Sequence, residues 1–386
     1  MNRSDETRLL RQCLNLLDKK STTLSSEAHH SAVERYTDAV RFDKELSAIH
    51  RKLPIAYLHS SELPEPHHFR TVITHVGSVI FSRGDDGTVR AFHNVCRHRG
   101  AQVENREAGC SKSFSCPYHA WRYGTNGELL SVPFEETCFP GLDKHQHGLA
   151  AIPCVEAYGF IWLCPAAASE QEAHAQLHSH LLEVIDDLTW LGLDKLHVFE
   201  KHVRRWKCNW KIVNEGGLET YHFKFAHKSS IGPYFLSNTC VTHQLGAHFR
   251  VIMPTEKLKQ VQAESVEETN LRDVAHIVYG ITPQTTFLVQ KAHVDWIQMI
   301  PISVDETEIV ITQLIPTSRA ELSPSEHAHW KRNMEISILT LDEDFELGES
   351  IQAGLKSGAN KVLTFGRNEG ALAKYNQWVE DQLALE

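Results

Sequence analysis

Two short segments constrain this chain more than anything else in it: Cys96-Arg97-His98-Arg99-Gly100 and Cys116-Pro117-Tyr118-His119-Ala120-Trp121. Each supplies one thiol and one imidazole, and the seventeen residues 99–115 separate the two pairs. Two thiolates with two imidazoles suit either tetrahedral zinc or an iron–sulfur centre. Zinc modules usually pair Cys with Cys at short spacing and His with His, whereas this chain pairs Cys with His twice. An iron–sulfur cluster of mixed donors puts both cysteines on one iron and both histidines on the other. Cys110 lies between the pairs without matching a ligand position and reads as an ordinary thiol.

The pairs sit in a stretch, from about Leu53 to Pro165, of short β-like runs between turn signals. Thr71–Phe81, the turn Arg83-Gly84-Asp85-Asp86-Gly87, Val89–His93 and Tyr158–Leu163 carry that pattern. Residues 1–50 read as helical, with Leu9, Leu10, Cys13, Leu14 and Leu17 at helical spacing. Residues 169–200 look helical again. His248–Met253, Thr286–Val289 and Glu308–Leu314 then resemble antiparallel strands, and a long helical stretch begins at about 323. The fold class is α+β, a small all-β module set into a larger domain. The boundaries fall at 1–50, 51–165 and 166–386, and 386 residues suffice for two such cores.

Composition excludes several classes of function. A net charge of −10 argues against nonspecific binding to nucleic acid or anionic membranes. No apolar run approaches the roughly 18–20 residues of a membrane helix. The polar start Met1-Asn2-Arg3-Ser4-Asp5-Glu6 lacks the apolar stretch of a secretory signal. Nine cysteines, an odd number, do not form a disulfide framework, so the expected compartment is the cytoplasm.

A second constellation lies in the segment 209–227. Two neutral imidazoles and one carboxylate on one face of a metal, with open positions opposite, make a non-haem Fe(II) oxygenase site. His222 and His227 are five residues apart, about 140° around an ideal helix. They converge only if the second sits at or beyond a helix end. Glu219, three residues before His222, would share its helix face. Downstream, Asp342 and Asp344 are candidate carboxylates. On a helix Asp344 shares a face with Gly348, Ile351 and Leu355, an inward stripe, and Asp342 with Glu346 and Glu349, a solvent-facing one.

The motifs C-x-H-R-G and C-P-Y-H-x-W, then N-W-K, E/D-x-Y-H-x₄-H and E-D-x₄-E-x₂-Q-x-G-L, follow in that order. From Leu53 to Glu386 the chain resembles the large (α) subunits of Rieske non-haem iron oxygenases, the aromatic-ring-hydroxylating dioxygenase family. The resemblance implies a small Rieske domain beside a larger domain with a curved antiparallel sheet and flanking helices (helix-grip or START-like). It implies a [2Fe–2S] cluster on Cys96, His98, Cys116 and His119, and mononuclear Fe(II) on His222, His227 and Asp344. Respiratory Rieske proteins carry a further cysteine in each ligand loop. Here those positions are Ala101 and Tyr118, which suits the lower-potential oxygenase type.

At Glu219 the family usually has aspartate, linking a cluster histidine of a neighbouring subunit to an iron-bound histidine. By resemblance, NAD(P)H electrons arrive through a separate flavin or iron–sulfur reductase, with a ferredoxin as an optional carrier, and the subunits form a head-to-tail homotrimer. The family's outcomes are mono- or dihydroxylation and oxidative demethylation. The substrate is either aromatic or, by association with glutamate at 219, a quaternary ammonium compound. Pocket-lining residues are expected in 228–245 and 284–300, with Tyr234, Phe235, Phe287, Val289 and Trp296 supplying apolar surface. Two other classes compete. An electron carrier needs only about 100–120 residues and leaves the second motif unexplained, and a zinc-stapled binding protein requires neither iron nor sulfide.

Overall fold

Strands in the computed structural model, which describes residues 1–385, follow the β-rich reading of 53–165 closely. Val89–His93 is a strand, while Thr71–Phe81 belongs to two, His68–Thr74 and Gly77–Arg83. The turn between them needs Gly77, whose φ of +102° would strain any side chain. These strands form a five-stranded antiparallel sheet in the order 151–152, 89–93, 77–83, 68–74, 108–110. Two three-stranded sheets complete this unit, one made of Cys154–Ala157, Phe160–Leu163 and Ile55–His59. The other joins Ser113–Ser115, Arg122–Gly124 and Leu129–Ser131. Phe69, Phe92, Phe114, Trp121 and Tyr123 form a core that also encloses Cys96 and Cys116.

The compact unit runs from His50 to Leu181, beyond the boundary expected at 165. The reason is the helix Glu170–Leu181, whose buried Ala173, Leu177 and Leu181 recur every fourth residue and whose contacts include strand Cys154–Ala157.

Met1–Ile49 and the chain from Leu182 onward make the second unit. Its seven-stranded antiparallel sheet has the order 197–206, 306–315, 294–303, 285–289, 275–281, 248–254, 241–245. The first of these strands begins at His197, inside the stretch read as helical, because Ile185–Leu191 is already closed by Gly192 at φ +60°. The helix Pro324–Lys356 spans 33 residues, about 50 Å. Ser323 and Glu326 close a capping box at its start and Pro324 occupies the first turn. Met334, Ile338, Leu341 and Phe345 of this helix pack with Ile297, Met299, Ile309 and Ile311 of the sheet.

The N-terminal segment departs from an all-helical reading. After the helix Arg3–Asp18, the strand His29–Ala32 pairs antiparallel with Val362–Phe365. Four-residue strands are too short for alternation to register, and pairing across the length of the chain leaves no local signal.

Tyr36 of that segment reaches a buried carboxylate. Its hydroxyl donates to Glu215 Oε1 at 2.7 Å, and Asn376 Nδ2 donates to the same oxygen at 2.7 Å. Burial pushes the Glu215 carboxyl up to about 7, although both hydrogen bonds oppose the shift. A carboxyl with a raised folded pKa contributes its full share of stability below its unfolded pKa and loses it as pH rises through 7. Glu215→Gln keeps an acceptor and cannot ionise. It should gain up to about 3 kcal/mol on wild type between pH 5 and pH 8 in urea unfolding. A gap that shrinks as pH rises would contradict the assignment.

Candidate metal centres

The two ligand loops of the smaller unit are closed in the same way. Gly100 N–H donates to Cys96 O and Cys96 N–H to Ala101 O; Ala120 N–H donates to Cys116 O and Cys116 N–H to Trp121 O. Each loop needs a left-handed residue at its fifth position, supplied by Gly100 at φ +80° and Ala120 at φ +54°. The repeat turns both Cys-x-His and Cys-x-x-His segments the same way. Cys96 and Cys116 are buried, His98 is half-buried and His119 is exposed. The two imidazoles lie 4.6 Å apart between centroids, and His98 stacks on Trp121 at 5.0 Å and 8°.

These donors suit a mixed-ligand iron–sulfur cluster. His98 Nδ1 is buried without a hydrogen-bond partner. Burial, then the neighbouring His119 and Arg99, holds its pKa below the ordinary value. Burial raises the Cys116 thiol, and backbone groups of Tyr118 and His119 bond to its sulfur. Tyr123 Oη stands 3.3 Å from Cys96 Sγ. Hydrogen bonds to cluster sulfurs are a lever on reduction potential.

In the larger unit the helix Trp210–Gly216 stops before the second motif. Glu219 therefore lies in the connection and not on a helix face shared with His222. It reaches His222 because its carboxylate folds forward. Oε2 accepts from the N–H groups of Tyr221 and His222, and Oε1 pairs with His222 Nδ1. A single helical turn, Phe223–Ala226, follows, with His222 and His227 as its two caps. Capping positions overcome the 140° separation of an ideal helix, and the ring centroids come within 5.2 Å.

Asp344 closes the group from the long helix. The ligand-type atoms of His222, His227 and Asp344 all lie within 4.8 Å of one another. His227 Nε2 is 3.0 Å and His222 Nε2 is 3.5 Å from Asp344 Oδ1. Asp342 points elsewhere, its carboxylate 2.9 Å from Arg204 Nη1.

Sequence reasoning missed Glu343. Its Oε2 stands 2.8 Å from His227 Nδ1 and accepts from Ser230 Oγ. Both imidazoles thus have Nδ1 held by a glutamate, Glu219 for one and Glu343 for the other, and both present Nε2 to Asp344. Burial acts to lower the His222 and His227 pKa values; the Glu219 hydrogen bond at His222 and the Asp344 bond at His227 lead the groups that outweigh it. His222 Nε2 is buried with no partner, as a metal-directed donor would be. The signal for Glu343 was its place beside Asp344, but adjacent residues on a helix diverge by about 100°. Only the position of Ser230 and His227 reveals that it turns back.

These atoms open onto a cavity of about 500 Å³. Phe223, Phe235, Leu288, Ile297, Met299 and Phe345 contribute apolar wall. The segment 284–300 lines it as expected, with the opposite phase. Thr286, Leu288 and Gln290 face the cavity, whereas Phe287, Val289 and Trp296 are wholly buried away from it. Successive strand residues point to opposite faces, so a one-residue error in phase exchanges the whole set. Phe235 lines the cavity, while Tyr234 is exposed.

If Glu343 fixes the Nε2-directed tautomer of His227, Glu343→Ala should weaken Fe(II) binding by about ten- to a hundredfold. Asp342→Ala should leave it unchanged. Anaerobic metal titration of both variants decides, and equal losses would contradict the geometry.

Comparison with known proteins accords with these two centres. A Rieske [2Fe–2S] domain model matches residues 54–153, and a ring hydroxylating alpha subunit (catalytic domain) model matches 193–385. The large oxygenase component of the naphthalene 1,2-dioxygenase system of Pseudomonas fluorescens is 37% identical over 206 residues, 50% of this chain and 43% of that protein. Biphenyl 2,3-dioxygenase subunit alpha of Rhodococcus jostii is 34% identical over 182 residues, 47% of this chain and 39% of that one. The matched stretch thus makes up less than half of each of these relatives. Among solved structures, a quaternary ammonium Rieske monooxygenase superposes with TM-score 0.77 at 21% identity, covering 92% of this chain and 96% of its own. Naphthalene 1,2-dioxygenase from Rhodococcus sp. gives 0.74 at 18% identity, covering 98% of both chains. The chain belongs to the ring-hydroxylating alpha subunit family, with a Rieske [2Fe–2S] domain preceding its catalytic domain.

Proposed function

We propose that this chain is the terminal oxygenase of an electron-fed system acting on a neutral, largely apolar substrate of aromatic-ring size. One observation carries the reading: the Nε2 atoms of His222 and His227 and the Asp344 carboxylate meet at an apolar cavity lined, among the described residues, by no lysine or arginine. When bound, a cluster on Cys96, His98, Cys116 and His119 supplies electrons, and Fe(II) on the triad supplies oxygen activation. The residues do the rest. Glu219 and Glu343 hold the imidazoles, and Phe223, Phe235 and Phe345 exclude water and seat a flat ring.

The two substrate classes differ at this cavity. L-carnitine and γ-butyrobetaine, bound by the structurally similar monooxygenase, each carry a carboxylate that would find no cationic partner here. An unpaired buried charge is costly. A neutral ring carries no charge to leave unpaired, which favours the aromatic arm and accords with the naphthalene and biphenyl dioxygenase relatives.

Electron delivery rests on Glu219 in a head-to-tail homotrimer, served by a separate reductase with or without a ferredoxin. Tyr221, whose N–H bonds that carboxylate, and Phe225, packed against Tyr221, expose 52% and 71% of their surface, an apolar margin suited to a neighbouring subunit. All nine cysteines are free, and no helix among the described residues is long and apolar enough to cross a membrane. We assign the reducing cytoplasm as the compartment.

Reconstituted protein should hold about three irons and two labile sulfides per chain. Asp344→Ala should lose one iron and all oxygenation of naphthalene while keeping the visible spectrum of the cluster; Cys116→Ser should lose that spectrum. Zinc without sulfide would overturn the reading.

Glu219→Gln should keep both metals and lose nearly all coupled turnover, since an amide cannot stabilise charge on an imidazole as a carboxylate does. Light scattering should report a trimer. Full turnover in metal-replete Glu219→Gln, or an active monomer, would remove the bridging role.

A further inference from the structure

About 10 Å along the long helix from Asp344, the cavity changes character. Ser337 lies two turns before Asp344 and Thr340 one turn before it, and both line the cavity. Ser337 Oγ donates to Asp295 Oδ2 at 2.8 Å, and Gln290 Nε2 donates to the same oxygen at 2.8 Å. Asp295 is fully buried, its Oδ1 has no partner, and His293 Nε2 lies 3.7 Å from Oδ2. The Thr340 hydroxyl is buried and also without a partner. His276, on the strand Ala275–Ile281, lines the same cavity.

We propose that Ser337, Thr340 and Gln290 form a polar anchor for a hydroxyl or N–H substituent on an otherwise apolar aromatic substrate, held with its other end toward the iron triad. The inference rests on the aromatic reading above and narrows it. A purely apolar ligand would bury the Thr340 hydroxyl with nothing to bond, a cost a polar substituent removes.

The hydrogen-bond inventory sets the direction. Ser337 spends its only proton on Asp295 and Gln290 spends one of its two, so Ser337 offers the ligand only lone pairs. Behind them Asp295 Oδ1, buried and without a partner, adds a further acceptor. An acidic substituent would face that carboxylate. Nor does His276 help it, since burial pushes the imidazole down to about 4 and leaves it neutral. A substituent that donates can use the lone pairs of Ser337 and Thr340, which an ether cannot, while the remaining Gln290 N–H and the Thr340 O–H are donors open to either. The spacing suits a bicyclic frame: the reacting edge lies at the triad and the substituent one to two helical turns away.

Three probes of one frame test this: naphthalene, 2-naphthol and 2-methoxynaphthalene, titrated calorimetrically into anaerobic, iron-loaded protein without reductase. 2-Naphthol should bind about three- to tenfold more tightly than 2-methoxynaphthalene, the worth of one donated hydrogen bond. In Thr340→Val, which preserves side-chain shape, and in Ser337→Ala, that ratio should fall toward one. The wild-type comparison stands even if a variant fails to fold. Equal affinity for all three probes in wild type overturns the anchor and leaves the aromatic reading intact, as does a ratio unchanged in both variants. Failure of every probe to bind overturns the aromatic reading and the anchor together.

Discussion

The larger unit is organised around one constraint: two imidazoles must present Nε2 to the same carboxylate. A free imidazole has two ring nitrogens and rotates about two bonds, so three suitable residues near one another do not by themselves make a metal site. Here each Nδ1 is occupied, that of His222 by Glu219 and that of His227 by Glu343. Ser230 and the N–H groups of Tyr221 and His222 hold the glutamates in turn. The orientation is therefore built from hydrogen bonds among the chain's own residues. Supporting contacts of this kind are where metal affinity is set.

The same logic explains the choice of elements. A four-residue helix places His222 and His227 at its two ends, and His227, at φ −95° and ψ 28°, has left the helical conformation that His222 keeps. The 33-residue helix does the opposite for Asp344, fixing it against the sheet through Met334, Leu341 and Phe345. A rigid carboxylate meets two capped imidazoles. That helix continues past the site in both directions, so one element carries both a metal-type carboxylate and the wall of the cavity. In the smaller unit the paired Cys/His loops achieve similar precision by repeating one closure pattern, with Gly100 and Ala120 taking the left-handed conformation.

Much of this was legible in the residue order. The Cys/His pairs, His222, His227 and Asp344 stood out because spacing and neighbouring residue types carry ligand chemistry. On the long helix Asp344 shares its face with buried Gly348 and Leu355, although Ile351 of the same stripe is 45% exposed. Where the backbone departs from a regular period, the reading went astray. Glu219 was assigned to a helix face, yet it reaches His222 through a turn. Phe287, Val289 and Trp296 fall in a segment that lines the pocket, yet strand alternation sends them into the core, the alternative that suits each aromatic taken singly. Glu343 was invisible because its partners, His227 and Ser230, are more than a hundred residues away. The strand His29–Ala32 escaped for the same reason, its partner lying at Val362–Phe365.

The central claim is that His222 and His227 bind through Nε2, with Asp344 as the third ligand. Anomalous diffraction at the iron edge from crystals of iron-loaded protein measures this directly. A paired peak should lie among Cys96, His98, Cys116 and His119. A single peak should be bonded to both Nε2 atoms and an Asp344 oxygen, with Glu219 and Glu343 still on the Nδ1 atoms. An iron bonded through Nδ1, or held by Glu343 or Asp342 in place of Asp344, would contradict it.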